Sequence, residues 1–196
     1  MDTWIDIRRK ARQRHEEALS KAAGDRRADA LVRSALELDD LELRRVEPGT
    51  TFGRGVYGVL EREYGIVSVA KHQAPADEAV VIAHELGHFH LHQDSTSEVT
   101  VRSCILGGDS VDSGAGKVEG YSPRERKELQ ADIFASEFLC PADWVRDQYI
   151  AHRKRPSSIA TELGLPITLV KNQVIRALLL PALRAAPPAS PTFEHK

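Results

Sequence analysis

The stretch Ala79-Val80-Val81-Ile82-Ala83-His84-Glu85-Leu86-Gly87-His88 decides how the rest of this chain is read. Five apolar residues lead directly into two histidines four positions apart. On an α-helix that spacing puts both imidazoles on one face, about one turn apart. Both rings can then reach one tetrahedral zinc ion. Glu85 lies roughly 100° further round the helix, close enough to act on a water at the metal without ligating it.

Two imidazoles leave a catalytic zinc one protein ligand short, so the chain must return to the site. Glu128 is the candidate third ligand, with Asp132 one turn later on the same face. Asp132 can accept the second N–H of a ligating imidazole, fixing its tautomer and raising its basicity. Glu125 is a rival ligand, but Ser122-Pro123-Arg124-Glu125 reads as a helix start. Ser stands at the N-cap, Pro at the first position and Glu at the third, forming a capping box. His92 lies two turns beyond His84 on the same face. It is an alternative ligand, a substrate contact, a neighbour that supports a ligand or simply an exposed side chain. Two histidines and a carboxylate suit manganese as well as zinc.

Working outward, Pro75 and Asp77 announce the site helix, with Asp77 as N-cap and an end near His92. Upstream, Leu41–Glu47, Val56–Leu60 and Gly65–Ala70 read as three short strands, giving a small antiparallel sheet packed on the helices. Before them come two helices, 3–23 and one from an Asp25 N-cap to about Leu38. The first carries Arg8-Arg9-Lys10-Ala11-Arg12-Gln13-Arg14, either a solvated face or a contact for an acidic or nucleic-acid partner. Residues 93–121 include Gly107-Gly108-Asp109 and Ser113-Gly114-Ala115-Gly116 and read as a lid-like insertion after the two histidines. Cys104 lies within it. It is either a small packed hydrophobe or a regulatory thiolate that takes the metal's open position. Tyr121 is a candidate oxyanion donor. Downstream, helices are expected from Ser122 to about Phe138, over 142–152, and over 157–164 and 167–181. The last two are joined by a Gly-Leu-Pro turn. The Pro-rich stretch 185–196 is expected to be disordered.

The fold class is therefore α+β: a mostly helical core of 1–152, a C-terminal helix-turn-helix-like segment of 153–184, and a tail. The 196 residues, 41% hydrophobic and 29% charged, suit one soluble globular domain with a small appendage. A net charge of −2 makes no general demand for a nucleic-acid or membrane partner. No stretch approaches eighteen apolar residues, so no membrane span is expected. Two cysteines give no disulfide framework, and Met1-Asp2-Thr3-Trp4 does not open a secretory signal. The expected compartment is the cytoplasm.

With these residues in view, the chain resembles the ImmA/IrrE family of bacterial zinc metallopeptidases. The resemblance rests on two blocks. One is His84-Glu85-Leu86-Gly87-His88-Phe89-His90-Leu91-His92. The other is Glu128-Leu129-Gln130-Ala131-Asp132-Ile133-Phe134-Ala135, running on to Cys140-Pro141. It implies that His84, His88 and Glu128 hold one Zn2+, that Glu85 is the general base and that Asp132 supports a ligand. It implies further that the substrate is a cognate helix-turn-helix repressor. Cleavage would release a stress, mobile-element or phage-defence operon. The segment Ser158–Pro166 and the helix after it are similar to the helix-turn-helix-like extension often found behind this core. The interval from His88 to Glu128 is long for the family, in keeping with an added lid. A different reading stays open: a nucleic-acid-binding regulator whose metal core does little chemistry, supported by Arg8–Arg14, Arg153-Lys154-Arg155 and the C-terminal helices. The two combine if DNA or single-stranded nucleic acid is the activating signal.

Overall fold

The histidine-bearing segment is helical over Pro75–Leu91, within a residue of its expected end. The computed structural model describes residues 3–47, 56–71, 73–93, 97–101 and 122–179. The helix begins ahead of Asp77. Ala74 is the N-cap and Pro75 occupies the first turn, since proline's fixed φ suits the helix and its missing N–H costs nothing there. Asp77 and Glu78 then lie beside the positive end of the helix dipole. Every residue from Ala79 to His88 is buried. A helix covered on all sides cannot be amphipathic, which is why its apolar run is continuous.

The chain carries seven helices among the described residues. These are α1 (Trp4–Lys21), α2 (Ala28–Leu38), α3 (Pro75–Leu91), α4 (Pro123–Leu139), α5 (Ala142–Ile150), α6 (Pro156–Leu163) and α7 (Ile167–Leu179). The α1 start is fixed by a Thr3–Asp6 capping box, and the α4 start by the expected Ser122–Glu125 box. Asp25 does not cap α2. Arg27 holds that place, and Asp25 accepts the Arg27 N–H at 3.0 Å just ahead of it. Gly164 closes α6 at φ +64°, a left-handed conformation that costs glycine little.

The sheet has the three expected strands and one more: β1 (Glu42–Val46), β2 (Val56–Glu61), β3 (Ile66–Ala70) and β4 (Ser97–Val101), in the order β1-β3-β2-β4. It is mixed, where alternation alone had led to an all-antiparallel sheet. A short 3-10 turn, Arg62–Tyr64, joins β2 to β3 and makes them antiparallel. β1 pairs with the other edge of β3 and runs parallel to it, from Glu42 opposite Ile66 to Val46 opposite Ala70. A two-residue repeat marks a strand but carries no information on its neighbour or direction. β4 lies within the stretch read as a lid and pairs antiparallel with β2. The polar Ser97, Glu98 and Thr100 hide a strand whose pairing comes from β2. Residues 94–96 and 102–121 of that stretch, with Cys104 and Tyr121, lie outside the described residues, as does 185–196.

One apolar core runs through the molecule. It joins Ile7 and Ala11 of α1, Leu31 and Val32 of α2, Leu60, Val67 and Val69 of the sheet, and Phe134 and Phe138 of α4 to Ile159, Leu163, Val170 and Val174 of α6 and α7. Gln173 of α7, itself buried, donates to the Cys140 carbonyl at 2.7 Å and to that of Ser136 at 3.2 Å. Cys140 is fully buried, as expected for a packing residue, and burial pushes its thiol far above the ordinary range. The arginines of α1 are used within the molecule. Arg8 and Arg12 pair with buried Glu137 at 3.4 and 2.7 Å, Arg12 also with Asp143, and Arg14 with Asp39. Among the described residues no helix is long and apolar enough to cross a membrane.

Candidate metal centre

α3 and α4 build the site by packing against each other at one glycine. A Cβ on Gly87 would stand 2.9 Å from Ala131 Cα and 3.0 Å from Ala131 O. The missing side chain lets the two helices approach closely. That approach brings Glu128, one turn before Ala131, opposite the paired imidazoles.

His84 and His88 are fully buried, with ring centroids 4.8 Å apart and planes inclined at 69°. Their Nε2 atoms lie 3.0 Å from each other, and Glu128 Oε2 lies 3.2 Å from the first and 3.7 Å from the second. Metal–ligand bonds of about 2.0–2.1 Å to a tetrahedral ion set neighbouring ligand atoms about 3.3 Å apart. These three residues, brought together from two helices, thus have the spacing of one face of a tetrahedron. Asp132 Oδ1 accepts the Nδ1–H of His84 at 2.8 Å, so that Nε2 is the nitrogen turned toward Glu128.

The electrostatics agree with that geometry. Burial disfavours a charged His84, but its hydrogen bonds to Asp132 and Glu128 outweigh burial and raise it to about 10. Burial works against a charged Glu128 too, yet the hydrogen bond from His84 and the neighbouring His88 imidazole draw it down to about 2. Burial keeps Asp132 above the usual aspartate range, against the pull of His84. The cluster favours positive charge at its centre. Three converging donors, two nitrogen and one oxygen, fit a divalent cation there.

Glu85 is buried on α3 and faces β2. Gly58 of β2 lies against it, beside an irregularity in the β2–β4 register between Val56 and Gly58. A Cβ there would meet Val81 Cγ1 at 2.5 Å and Glu85 Oε1 at 2.7 Å. His92 stands just past the end of α3 and does not join the three-donor group. It lies behind His88, with the two Nδ1 atoms 3.0 Å apart. Glu125 remains in its capping box. His90 turns away, bonding Asp39 Oδ2 at 3.0 Å and stacking on Phe134.

Four contributors escaped the reading of the sequence. Gly87 stood inside the motif, with no role given to it there. Gly58 had a signal, since a glycine within a strand often marks close approach of another group. Gln130 had none. Arg62, in the turn between β2 and β3, also had none. Its Nη2 donates to the carbonyls of His88 and Phe89 at 2.9 Å and of His92 at 3.3 Å, and its guanidinium lies over the Phe89 ring. It thereby satisfies the exposed carbonyls at the end of the site helix.

A buried helix bearing two imidazoles and a carboxylate, crossed by a second helix that returns another carboxylate, defines a metallopeptidase-type domain. The chain belongs to the IrrE N-terminal-like domain family of peptidases, whose profile matches residues 40–174, from the start of the sheet into α7. No curated protein and no solved structure matches it.

Proposed function

We propose that this chain is a zinc-dependent, site-specific endopeptidase of the cytoplasm. Its proposed substrate is a cognate helix-turn-helix repressor, and cleavage frees a stress, mobile-element or phage-defence operon. The observation that carries the peptidase reading is the meeting of His84, His88 and Glu128 at ligand spacing, with Asp132 behind His84. The repressor and the operon come from the family resemblance.

His84, His88 and Glu128 would hold the ion, with manganese as the competing metal. When bound, such an ion supplies Lewis acidity that makes water acidic near neutral pH and polarises a peptide carbonyl. The chain's own residues do the rest. Glu85 takes the proton of the attacking water and returns it to the departing amine nitrogen. Asp132 holds the Nδ1 proton of His84, so the ring keeps one orientation. The closed packing of α3 against β2 excludes bulk water from Glu85. Nucleic acid as an activating signal is part of the proposal, but Arg8, Arg12 and Arg14 do not support it, since they are engaged by Glu137, Asp143 and Asp39.

The test is direct. The chain, loaded with zinc or manganese, is incubated with a small helix-turn-helix repressor encoded beside it, and products are read by gel and mass spectrometry. Discrete fragments are expected from the native chain and none from Glu85→Gln, which should bind metal as before. Equal cleavage by Glu85→Gln overturns the assignment.

A further inference from the structure

We propose that Gln130 and His92 form a relay that determines which nitrogen of His88 carries its proton, leaving Nε2 ready for a metal. The proposal rests on the metal-centre reading above and goes behind the three ligands to what prepares one of them.

Each link follows from which atoms can donate. Gln130 of α4 is almost fully buried, as is His92. Gln130 Oε1 lies 2.9 Å from His92 Nε2. A carbonyl oxygen only accepts, so His92 Nε2 carries the hydrogen. A neutral imidazole has one N–H, so His92 Nδ1 is an acceptor. His88 Nδ1 lies 3.0 Å from it and must donate. The remaining nitrogen of His88, Nε2, then bears a lone pair. It lies 3.0 Å from His84 Nε2 and 3.7 Å from Glu128 Oε2, in the three-donor group.

The two ligand histidines are therefore prepared in different ways. Asp132 accepts from His84 directly. At His88 Nδ1 the neighbour is a second imidazole, and a neutral amide acts through it. α4 supplies all three groups: ligand Glu128, Asp132 behind His84, and Gln130 at the far end of the relay. The reverse order of protons has a definite consequence. A donor in place of Gln130 Oε1 would make His92 Nδ1 the donor and move the His88 proton to Nε2, where it blocks ligation. His92 is in this sense a positioning residue. It stands outside the three-donor group although its helical spacing is right for a ligand, and the relay accounts for that placement.

Long-range proton–nitrogen NMR spectra of the metal-free, 15N-labelled chain read the tautomer directly. The expected result is His88 protonated at Nδ1 and His92 at Nε2. In Gln130→Met, His88 should become a mixture of tautomers. Zinc affinity, measured by chelator competition, should fall about ten- to a hundredfold in Gln130→Met and in His92→Leu, the usual loss when a partner of a ligand is removed. His92→Asn, whose amide oxygen can stand where Nδ1 stood, should recover most of it. Melting of each metal-free variant separates this effect from loss of fold. A His88 proton on Nε2 in the native chain, or zinc affinity unchanged in both Gln130→Met and His92→Leu, overturns the relay. A native chain with His88 protonated at Nδ1 that binds no divalent metal supports the relay and overturns the peptidase reading.

Discussion

Gly87 of α3 rests on the backbone of Ala131 of α4, with room for a hydrogen and not for a methyl group: a Cβ there would lie 2.9 Å from Ala131 Cα. The meeting of the three candidate ligands depends on this contact, because Glu128 is carried by α4 and the two imidazoles by α3.

Gly87→Ala accordingly separates two effects of opposite sign. Helix propensity alone favours alanine by about 1 kcal/mol. Overpacking against a helix backbone costs about 1–3 kcal/mol and moves α4 outward. We expect a lower melting temperature and at least about tenfold weaker metal binding, the loss typical when support for a ligand is removed. Calorimetry and chelator competition measure both. A stabilised variant with native affinity would show that the helices can relax at this point.

Gly58→Ala acts on the other side of α3. The added methyl would strike Val81 and the Glu85 carboxylate, at 2.5 and 2.7 Å. Glu85 must move, while His84, His88 and Glu128 are not touched. Turnover should fall about a hundredfold, as when a general base is misplaced, with metal content preserved. Loss of metal together with activity would place the damage elsewhere.

Asp132→Asn keeps an acceptor for His84 Nδ1–H but removes its negative charge. Metal affinity should fall about tenfold, and more for Asp132→Ala, which removes the acceptor as well. If both variants bind metal like the native chain, Asp132 has no part in the site.

His15 gives a pH signature far from the metal centre. Its Nδ1 donates to the Phe138 carbonyl at 2.6 Å, and its Nε2 accepts from Arg26 at 3.0 Å, which fixes a neutral ring. Burial, with Arg26 adding to it, holds this histidine below its ordinary value of 6.5. The unfolded chain binds this proton first as pH falls. The stability contributed by His15 is therefore complete above 6.5 and declines as pH falls from there toward the lower folded value. Thermal melting followed over that interval should fall less steeply for His15→Gln than for the native chain. Parallel curves would remove His15 from the account.

How much of this was open to a reader of the sequence follows from the range of each signal. His84, Glu85 and His88 lie within five residues on one helix, and helical geometry relates them without help from the rest of the chain. The Ser122–Glu125 cap is local in the same sense, and it aligned Glu128 and Asp132 on one face. The direction of β1, the strand at Ser97–Val101 and the Arg62 cap are different. Each depends on a partner distant in sequence, and neither periodicity nor composition carries that information. Arg8 and Arg12 are similar: as a charge run they looked solvated, and only Glu137, far along the chain on α4, draws them inward.

By itself, the sequence determined the chemistry this protein brings to its site: which donors exist, their spacing along each helix, and the family to which they belong. The tertiary structure alone decided how those donors meet. It set Gly87 against Ala131, Gly58 against Glu85, and Gln130 behind His92 behind His88. The physical reason is that residue type and helical period are properties of one segment, whereas close approach and proton direction are properties of two segments in contact.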